Sequence, residues 1–162
     1  MDPIRYVEAL NNKYGSMGFP PYQWSVNEDA PWTPMTKPLA ECTVALLVSG
    51  GISHCSAVPF DANARNDHRV DAIDVDTPLD QYQIHDSYYD HTDAGRDLNC
   101  LFPLDRLKEL AADGEIGGVA RRHWSGFMGR TYNRSKVINE SGPAFAQSLH
   151  DDGVDLLVAI PA

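Results

Sequence analysis

Residues 42–51 read CTVALLVSGG, and this stretch decides the fold class. A run of apolar, β-favouring residues without polar alternation is typical of a strand that is buried on both faces of a parallel sheet. The Gly-Gly pair at its end predicts a tight loop at the carboxyl end of the strand. We therefore predict a central parallel strand around which the rest of the chain is arranged.

Strand and helix patterns alternate on the C-terminal side of this stretch. Strand patterns occur at 70–75 (VDAIDV), 154–160 (VDLLVAI) and, more weakly, 116–124, and helical spacing of apolar residues occurs at 103–113 and 135–152. Strands that alternate with helices favour parallel pairing through right-handed crossovers. The sequence thus predicts an α/β fold, with a Rossmann-like or flavodoxin-like parallel sheet that is flanked by helices.

The N-terminal 40 residues have a different character. Asp2 and Pro3 suit the start of a short helix, and residues 19–38 then read FPPYQWSVNEDAPWTPMTKP. Prolines remove backbone donors and favour extended conformations, so this segment is predicted to be an extended, aromatic-rich arm. We divide the chain into an arm at 1–40 and an α/β domain at 41–162, which ends at the carboxyl end of a central strand.

Composition excludes several classes of function. The 162 residues are enough for one domain with a hydrophobic core, and the net charge of −10 disfavours binding to nucleic acid or to an anionic membrane. No signal-peptide pattern and no run of about 20 apolar residues is present. Three cysteines without CxxC spacing fit a reducing compartment, so we expect a cytoplasmic protein.

The densest group of chemically useful residues lies between residues 85 and 99. His85 and His91 are candidate acid–base catalysts, because imidazole titrates near neutral pH. Asp90 is placed in the same catalytic group, and Asp97 is a candidate for holding a substrate amine. Alternatively, His85, Asp90 and His91 bind a divalent metal ion, or the segment is an acidic surface loop whose carboxylates cap turns.

Two loops after predicted strands provide further candidates. Ser49, Gly50 and Gly51 are expected to form a wall of the substrate pocket, because glycine allows close approach of the backbone to a ligand. Cys55 is a candidate nucleophile and follows His54 directly, although adjacent residues of an extended chain point apart.

The other loop contains His123, a candidate catalytic residue, and Ser125, a candidate substrate-binding residue. The loop is expected at the carboxyl edge of the sheet, where ligands bind in open α/β folds. Residues 154–160 end at that same edge, so we expect a partner subunit or a second copy of the chain to complete the site.

Three stretches carry a resemblance to a known family. They are KPLAEC with VALLVSGGISH, the segment HDSYYDHTDAGRDLNCLFPLDRLKELAADGEIGGVA, and HWSGFMG followed later by HDDGVDLLVAIPA. The chain resembles the selenoprotein B family of glycine, sarcosine, betaine and D-proline reductases, and most strongly its D-proline reductase branch, over residues 31–162. The resemblance implies reductive C–N cleavage of a small amino or imino acid by a selenolate, with a pyruvoyl-containing partner subunit.

The family's selenocysteine is expected after the position of Ala162, and this sequence contains none. Either the frame was closed at a selenocysteine codon, or a partner chain supplies the catalytic segment. Two other hypotheses stay open. The chain could be a metal-assisted or cofactor-free lyase or hydrolase that uses the His/Asp cluster, or a non-catalytic structural subunit of a hetero-oligomer.

Overall fold

The computed structural model describes residues 5–21, 28–30 and 32–162, and the chain divides into two units between Pro34 and Met35. In the first unit, helix α1 (Tyr6–Ser16) ends before Gly18, which has a φ of +83°. The predicted caps Asp2 and Pro3, together with 22–27 and 31 of the predicted arm, lie outside the described residues.

Strand β1 (Thr43–Val48) is the centre of a five-stranded sheet in the second unit. The other strands are β3 (Val70–Asp74), β5 (Gly118–Val119), β6 (Arg122–Gly126) and β7 (Leu156–Ile160). Val44 pairs with both Val119 and Leu156, and both pairs are parallel, so β5 and β7 lie on opposite edges of β1. The end of β1 pairs in parallel with β6. The predicted central strand is therefore confirmed.

Strand β3 corrects the prediction of an entirely parallel sheet. It runs antiparallel to β6, with Val70 opposite Gly126 and Asp74 opposite Arg122. Alternation of apolar and polar residues identifies a strand, but it carries no information about the direction in which that strand pairs. Because of this reversal, the start of β3 lies at the same edge of the sheet as the end of β6.

A second, two-stranded sheet was not predicted. Strands β2 (Ile52–His54) and β4 (Tyr82–Ile84) pair antiparallel, with Ser53 opposite Gln83. Three-residue strands are too short to show a period in the sequence, so only the structure reveals them. This small sheet follows the glycine loop directly and fixes the backbone that leads to His85.

The two predicted helices of the second unit are confirmed, the second in an altered form. Helix α2 (Leu104–Ala112) follows Pro103. The second helical segment consists of a short turn α3 (Arg134–Lys136), a π-helical stretch at Val137–Ser141 and helix α4 (Gly142–Asp151). Pro143 lies in the first turn of α4, where its missing N–H costs no helical hydrogen bond.

Alternate residues of β1 face two separate cores. Val44, Leu46 and Val48 pack in one cluster with Phe102 and residues of α2, and Ala45 packs in the other with Trp124 and the α4 residues Phe145 and Leu149. The strand is therefore buried on both faces, as its continuous apolar pattern indicates. Helices α2 and α4 cover opposite faces of the sheet.

Among the residues that the structure describes, no helix is both long enough and apolar enough to cross a membrane.

Candidate functional site

The ends of three parallel strands meet at one edge of the sheet and are tied together there. The Ser49 N–H donates to the Ile160 carbonyl at 3.2 Å, and the Ala162 N–H donates to Ser49 Oγ at 3.1 Å. The Ile52 N–H donates to Ser125 Oγ at 3.0 Å. The loop after β1 is thus held on both sides by the loops after β6 and β7, at the edge where α/β proteins bind ligands.

The glycines of this loop are required by close contacts. A Cβ on Gly50 would lie 2.9 Å from Tyr89 Oη, and a Cβ on Gly51 would lie 2.4 Å from the His85 carbonyl oxygen. Gly51 also has a φ of +68°, which L-residues other than glycine rarely adopt. The carbonyl of Gly51 accepts the His85 N–H at 2.9 Å, so the loop and the His85 segment are in direct backbone contact.

Tyr89 is a second link between the glycine loop and the His/Asp segment. Its hydroxyl donates to the Gly50 carbonyl at 2.8 Å, and its ring lies edge-on to His91 at 5.7 Å between ring centres. Burial, with a further contribution from Asp86, raises the pKa of Tyr89 to about 12. The phenol is therefore neutral at physiological pH and acts as a hydrogen-bond donor.

His85 is half-buried and directly follows β4, and it has a side-chain partner two residues earlier. Its Nε2 lies 3.2 Å from Gln83 Oε1. The two residues place a histidine beside an amide. Gln83 was not among the predicted site residues, although its spacing from His85 was visible in the sequence.

An acidic cavity of about 590 Å³ lies next to these residues. The predicted residues His91 and Asp97 line it, together with residues that the sequence did not single out: Leu79, Asp80, Tyr82, Gln83, Ile84, Ala94, Gly95, Arg96, Leu98, Asn99 and Asp105. The lining includes three aspartates and one arginine, so the cavity favours cationic groups. Gln83 and His91 connect the cavity to His85 and Tyr89, which contact the glycine loop.

Asp97 and Asp90 both use their carboxylates to form local turns. Asp97 accepts hydrogen bonds from the backbone and side chain of Asn99, and this side-chain bond is the main cause of its lowered pKa. Asp90 accepts from the Thr92 hydroxyl at 2.6 Å and from its N–H at 3.0 Å, and its pKa is lowered chiefly by that hydroxyl. Asp97 lies at the cavity, whereas Asp90 is not among the lining residues.

The structure does not assemble the metal site that His85, Asp90 and His91 were predicted to form. Across residues 5–21, 28–30 and 32–162, no group of three His, Cys, Asp or Glu side chains is arranged to hold a metal ion. The Asp90 carboxylate accepts a hydrogen bond from Thr92, and the His85 ring is hydrogen-bonded to Gln83. The His91 ring packs against Tyr89. Closeness in sequence did not bring these ligands to one point.

His123 is part of the core and not of the candidate site. Its side chain has no exposed surface, and its Nδ1 accepts the Leu46 N–H at 3.0 Å. Burial, with a smaller contribution from Lys108, lowers its pKa to about 4, and a backbone hydrogen bond with Ala120 opposes the shift. A fully buried, neutral imidazole cannot exchange protons with a substrate at the edge of the sheet.

Ser125 and Cys55 also differ from their predicted roles. Ser125 has no exposed surface, and its hydroxyl accepts the Ile52 N–H, so it fixes the backbone directly after the glycine loop. Cys55 is exposed, and the ring nitrogens of the neighbouring His54 lie beside Ser56 Oγ and Gln81 Oε1. His54 therefore makes its hydrogen bonds away from the Cys55 thiol.

Comparisons with known proteins agree on one family. The family model for glycine/sarcosine/betaine reductase selenoprotein B matches residues 5–160. The chain is 34% identical over 127 residues to D-proline reductase subunit gamma of Acetoanaerobium sticklandii, which covers 78% of this chain and 51% of that protein. No solved structure matches the chain.

Two further relatives are more distant. The sarcosine reductase complex component B subunit beta of Peptoclostridium acidaminophilum is 28% identical, over 95% of this chain and 36% of its own length. The glycine reductase complex component B subunit gamma of Carboxydothermus hydrogenoformans is 27% identical, over 79% of this chain and 30% of its own. The chain thus spans about half or less of the length of the curated relatives it matches.

Proposed function

Because the chain belongs to the glycine/sarcosine/betaine reductase selenoprotein B family, we propose that it is a subunit of a reductase complex that cleaves the C–N bond of a small amino or imino acid. In such a cleavage the C–N bond takes up two electrons and two protons, and a C–H and an N–H bond replace it. The electrons come from a selenol or thiol that is itself oxidised. Another part of the assembled enzyme supplies this chalcogen.

The acidic cavity, whose lining residues Gln83 and His91 contact His85 and Tyr89, is the observation that carries this proposal. A small amino or imino acid has a positively charged nitrogen at neutral pH, and Asp80, Asp97 and Asp105 outnumber the one guanidinium, that of Arg96. A concave, partly polar site with an excess of negative charge attracts the charged nitrogen of such a molecule. The Asp97 carboxylate is charged at physiological pH, and its hydrogen bonds to Asn99 lower its pKa below the ordinary value.

Each element of the site has a separate role in the proposed reaction. The Asp97 carboxylate in the cavity orients the substrate nitrogen, and His85 acts as the acid or base at the glycine loop. Tyr89 holds the Gly50 carbonyl in place, and Asp90 shapes the turn that presents His91. Ser49 and the two glycines form the wall, because their backbone lies where the strands end.

Calorimetry on the purified full chain, with any partner that co-purifies at native expression, tests the proposal. D-proline, sarcosine and glycine are titrated separately, with acetate as a ligand that lacks the ammonium group. We expect one of the amino or imino acids to bind and acetate not to bind. Asp97→Asn should weaken that binding about tenfold.

Asp61→Asn is the matched control. Asp61 also accepts a backbone N–H two residues ahead, at 2.8 Å from Asn63, but it does not line the cavity. The control should bind as the wild type does. Absence of binding by all three amino or imino acids, or equal effects of the two substitutions, would contradict the proposal.

The metal-assisted lyase or hydrolase hypothesis receives no support from the geometry, because its three ligands do not converge in the described part of the chain.

A further inference from the structure

We infer that Gln83 is a positioning residue that holds neutral His85 with its proton on Nε2 and leaves the Nδ1 lone pair for acid–base chemistry. The inference rests on the proposed function, because it concerns the histidine that serves as acid or base there. Gln83 does not itself touch the reacting atoms. It acts through the hydrogen bond that it makes to the imidazole ring.

The surroundings of Gln83 fix which end of its amide faces His85. Its Nε2 lies 3.3 Å from the His54 carbonyl oxygen, 3.5 Å from the Ala57 carbonyl oxygen and 3.4 Å from Ser53 Oγ. Carbonyl oxygens only accept hydrogen bonds, so an amide oxygen at this position would face two acceptors. The amide NH₂ group therefore occupies it, and Oε1 is directed to the other side.

The orientation of the amide determines the state of the imidazole. Oε1 lies 3.2 Å from His85 Nε2 and can only accept a hydrogen bond, so Nε2 must donate one. A neutral imidazole carries one N–H, which leaves its lone pair on Nδ1. His85 Nδ1 has no hydrogen-bond partner among residues 5–21, 28–30 and 32–162, and it is not a buried unpaired atom.

The backbone keeps both residues in this register. Gln83 pairs with Ser53 across the small sheet, which holds its side chain over the turn after β2. The His85 N–H is bonded to the Gly51 carbonyl, so the ring is presented at the glycine loop. The backbones of Gln83 and His85 are both held by hydrogen bonds. The Gln83 amide therefore keeps its position and determines which ring nitrogen of His85 carries the proton.

Nitrogen NMR of ¹⁵N-histidine-labelled full chain, in solution above pH 8, tests the inference directly. In the wild type, His85 Nε2 should show a bound proton and Nδ1 the shift of an unprotonated nitrogen. Gln83→Leu removes the acceptor, so the two ring shifts should move toward each other and the Nε2 proton should exchange faster with water.

Gln81→Leu is the matched control, since Gln81 Oε1 lies 3.3 Å from His54 Nε2. It should alter the His54 signals and leave those of His85 unchanged. The inference is overturned if the wild-type proton is on Nδ1, a result that needs no variant. It is also overturned if the Leu substitutions at 83 and 81 affect His85 equally.

Turnover in the assembled complex separates this inference from the proposed function. Gln83→Leu should lower kcat about tenfold, a part of what a general acid or base contributes, with KM within about twofold of the wild type. An unchanged kcat in an active complex overturns the positioning role. A wild-type complex that cleaves no amino or imino acid refutes the proposed function, whereas the ring state measured by NMR is decided independently of it.

Discussion

The His123 side chain accepts a backbone N–H of β1 that no neighbouring strand accepts. Strand β1 pairs with β5 at Val44 and with β6 from Leu47, and between them the Leu46 N–H would have no strand partner on that edge. The imidazole Nδ1 of His123 accepts this N–H at 3.0 Å. An unsatisfied buried N–H costs about 1–3 kcal/mol, so this contact explains a fully buried histidine without a catalytic role.

The lowered pKa of His123 makes stability depend on pH within a defined window. Above pH 6.5 the residue is neutral in both states, and between pH 6.5 and about 4 only the unfolded chain takes up the proton. Stability is therefore lost as the pH falls through this range, and the loss from His123 at pH 4.5 is about 2–3 kcal/mol.

Urea unfolding at pH 7 and pH 4.5, for the wild type and His123→Asn, measures this contribution. Asn keeps an acceptor but does not titrate, so the variant should be less stable at pH 7 and lose less on acidification. A pH dependence that is identical in the two proteins would show that His123 does not titrate as the structure requires.

Some individual residues could be placed from the sequence, and others could not. Gly50 and Gly51 were predicted at the site from their place after an apolar strand, and the structure puts them at the carboxyl edge of the sheet. His123 was misassigned because the sequence RHWSG reads as a loop after a strand, whereas it is β6 itself. In a central strand both faces are buried, so a polar residue in such a strand is not evidence that its position is exposed.

At the scale of elements, Arg122 joins β6 to the end of α4. Its Nε and Nη2 donate to the two carboxylate oxygens of Asp152 at 2.8 and 2.7 Å, and its guanidinium lies 5.9 Å from the centre of the Trp124 ring. The two-point contact gives this ion pair a defined geometry. Most of the other ion pairs in the described part of the chain are single contacts between exposed groups.

Arg122→Ala should lower the free energy of unfolding by about 1 kcal/mol, and Arg122→Lys should restore less than half of that because Lys cannot form the two-point contact. Arg121→Ala is the control, because its Nε is 3.9 Å from Asp74 and its side chain is 84% exposed. Urea unfolding at pH 7 measures all three. Equal effects at positions 121 and 122 would contradict the assignment.

The elements that the sequence missed have a common physical reason. Apolar patterns identify β1, β7 and α2. Strand β1 and helix α2 bury several of their side chains, and β7 pairs with β1 from Leu156 to Ile160. The direction of β3 and the pairing of β2 with β4 depend on contacts between distant residues, which local patterns do not encode. The cavity next to the glycine loop depends on the same long-range pairing, so Asp80 and Asp105 were not predicted.

At the scale of the molecule, the residues of both hydrophobic clusters in the described part of the chain belong to the second unit. A chain of residues 35–162 should therefore fold without the first unit. We expect cooperative unfolding in urea and a well-dispersed amide NMR spectrum, with the signals of β1 and β6 close to those of the full chain.

A longer deletion, leaving residues 43–162, provides the comparison. It removes Lys37, which pairs with Asp155 at 2.7 Å, and Cys42, whose side chain is buried. This second fragment should be less stable than the first. A fragment 35–162 that unfolds without cooperativity would show that the second unit is not self-sufficient.

The central position of β1 has a consequence for how the polypeptide is made. The contact from the Thr43 N–H to Asp155 spans 112 residues, and at about 5–20 residues per second the ribosome takes roughly 6–20 s to produce that interval. Until then one edge of this central strand has no partner. Newly made chains therefore expose an unpaired edge of TVALLV during that interval, and slower translation lengthens the exposure.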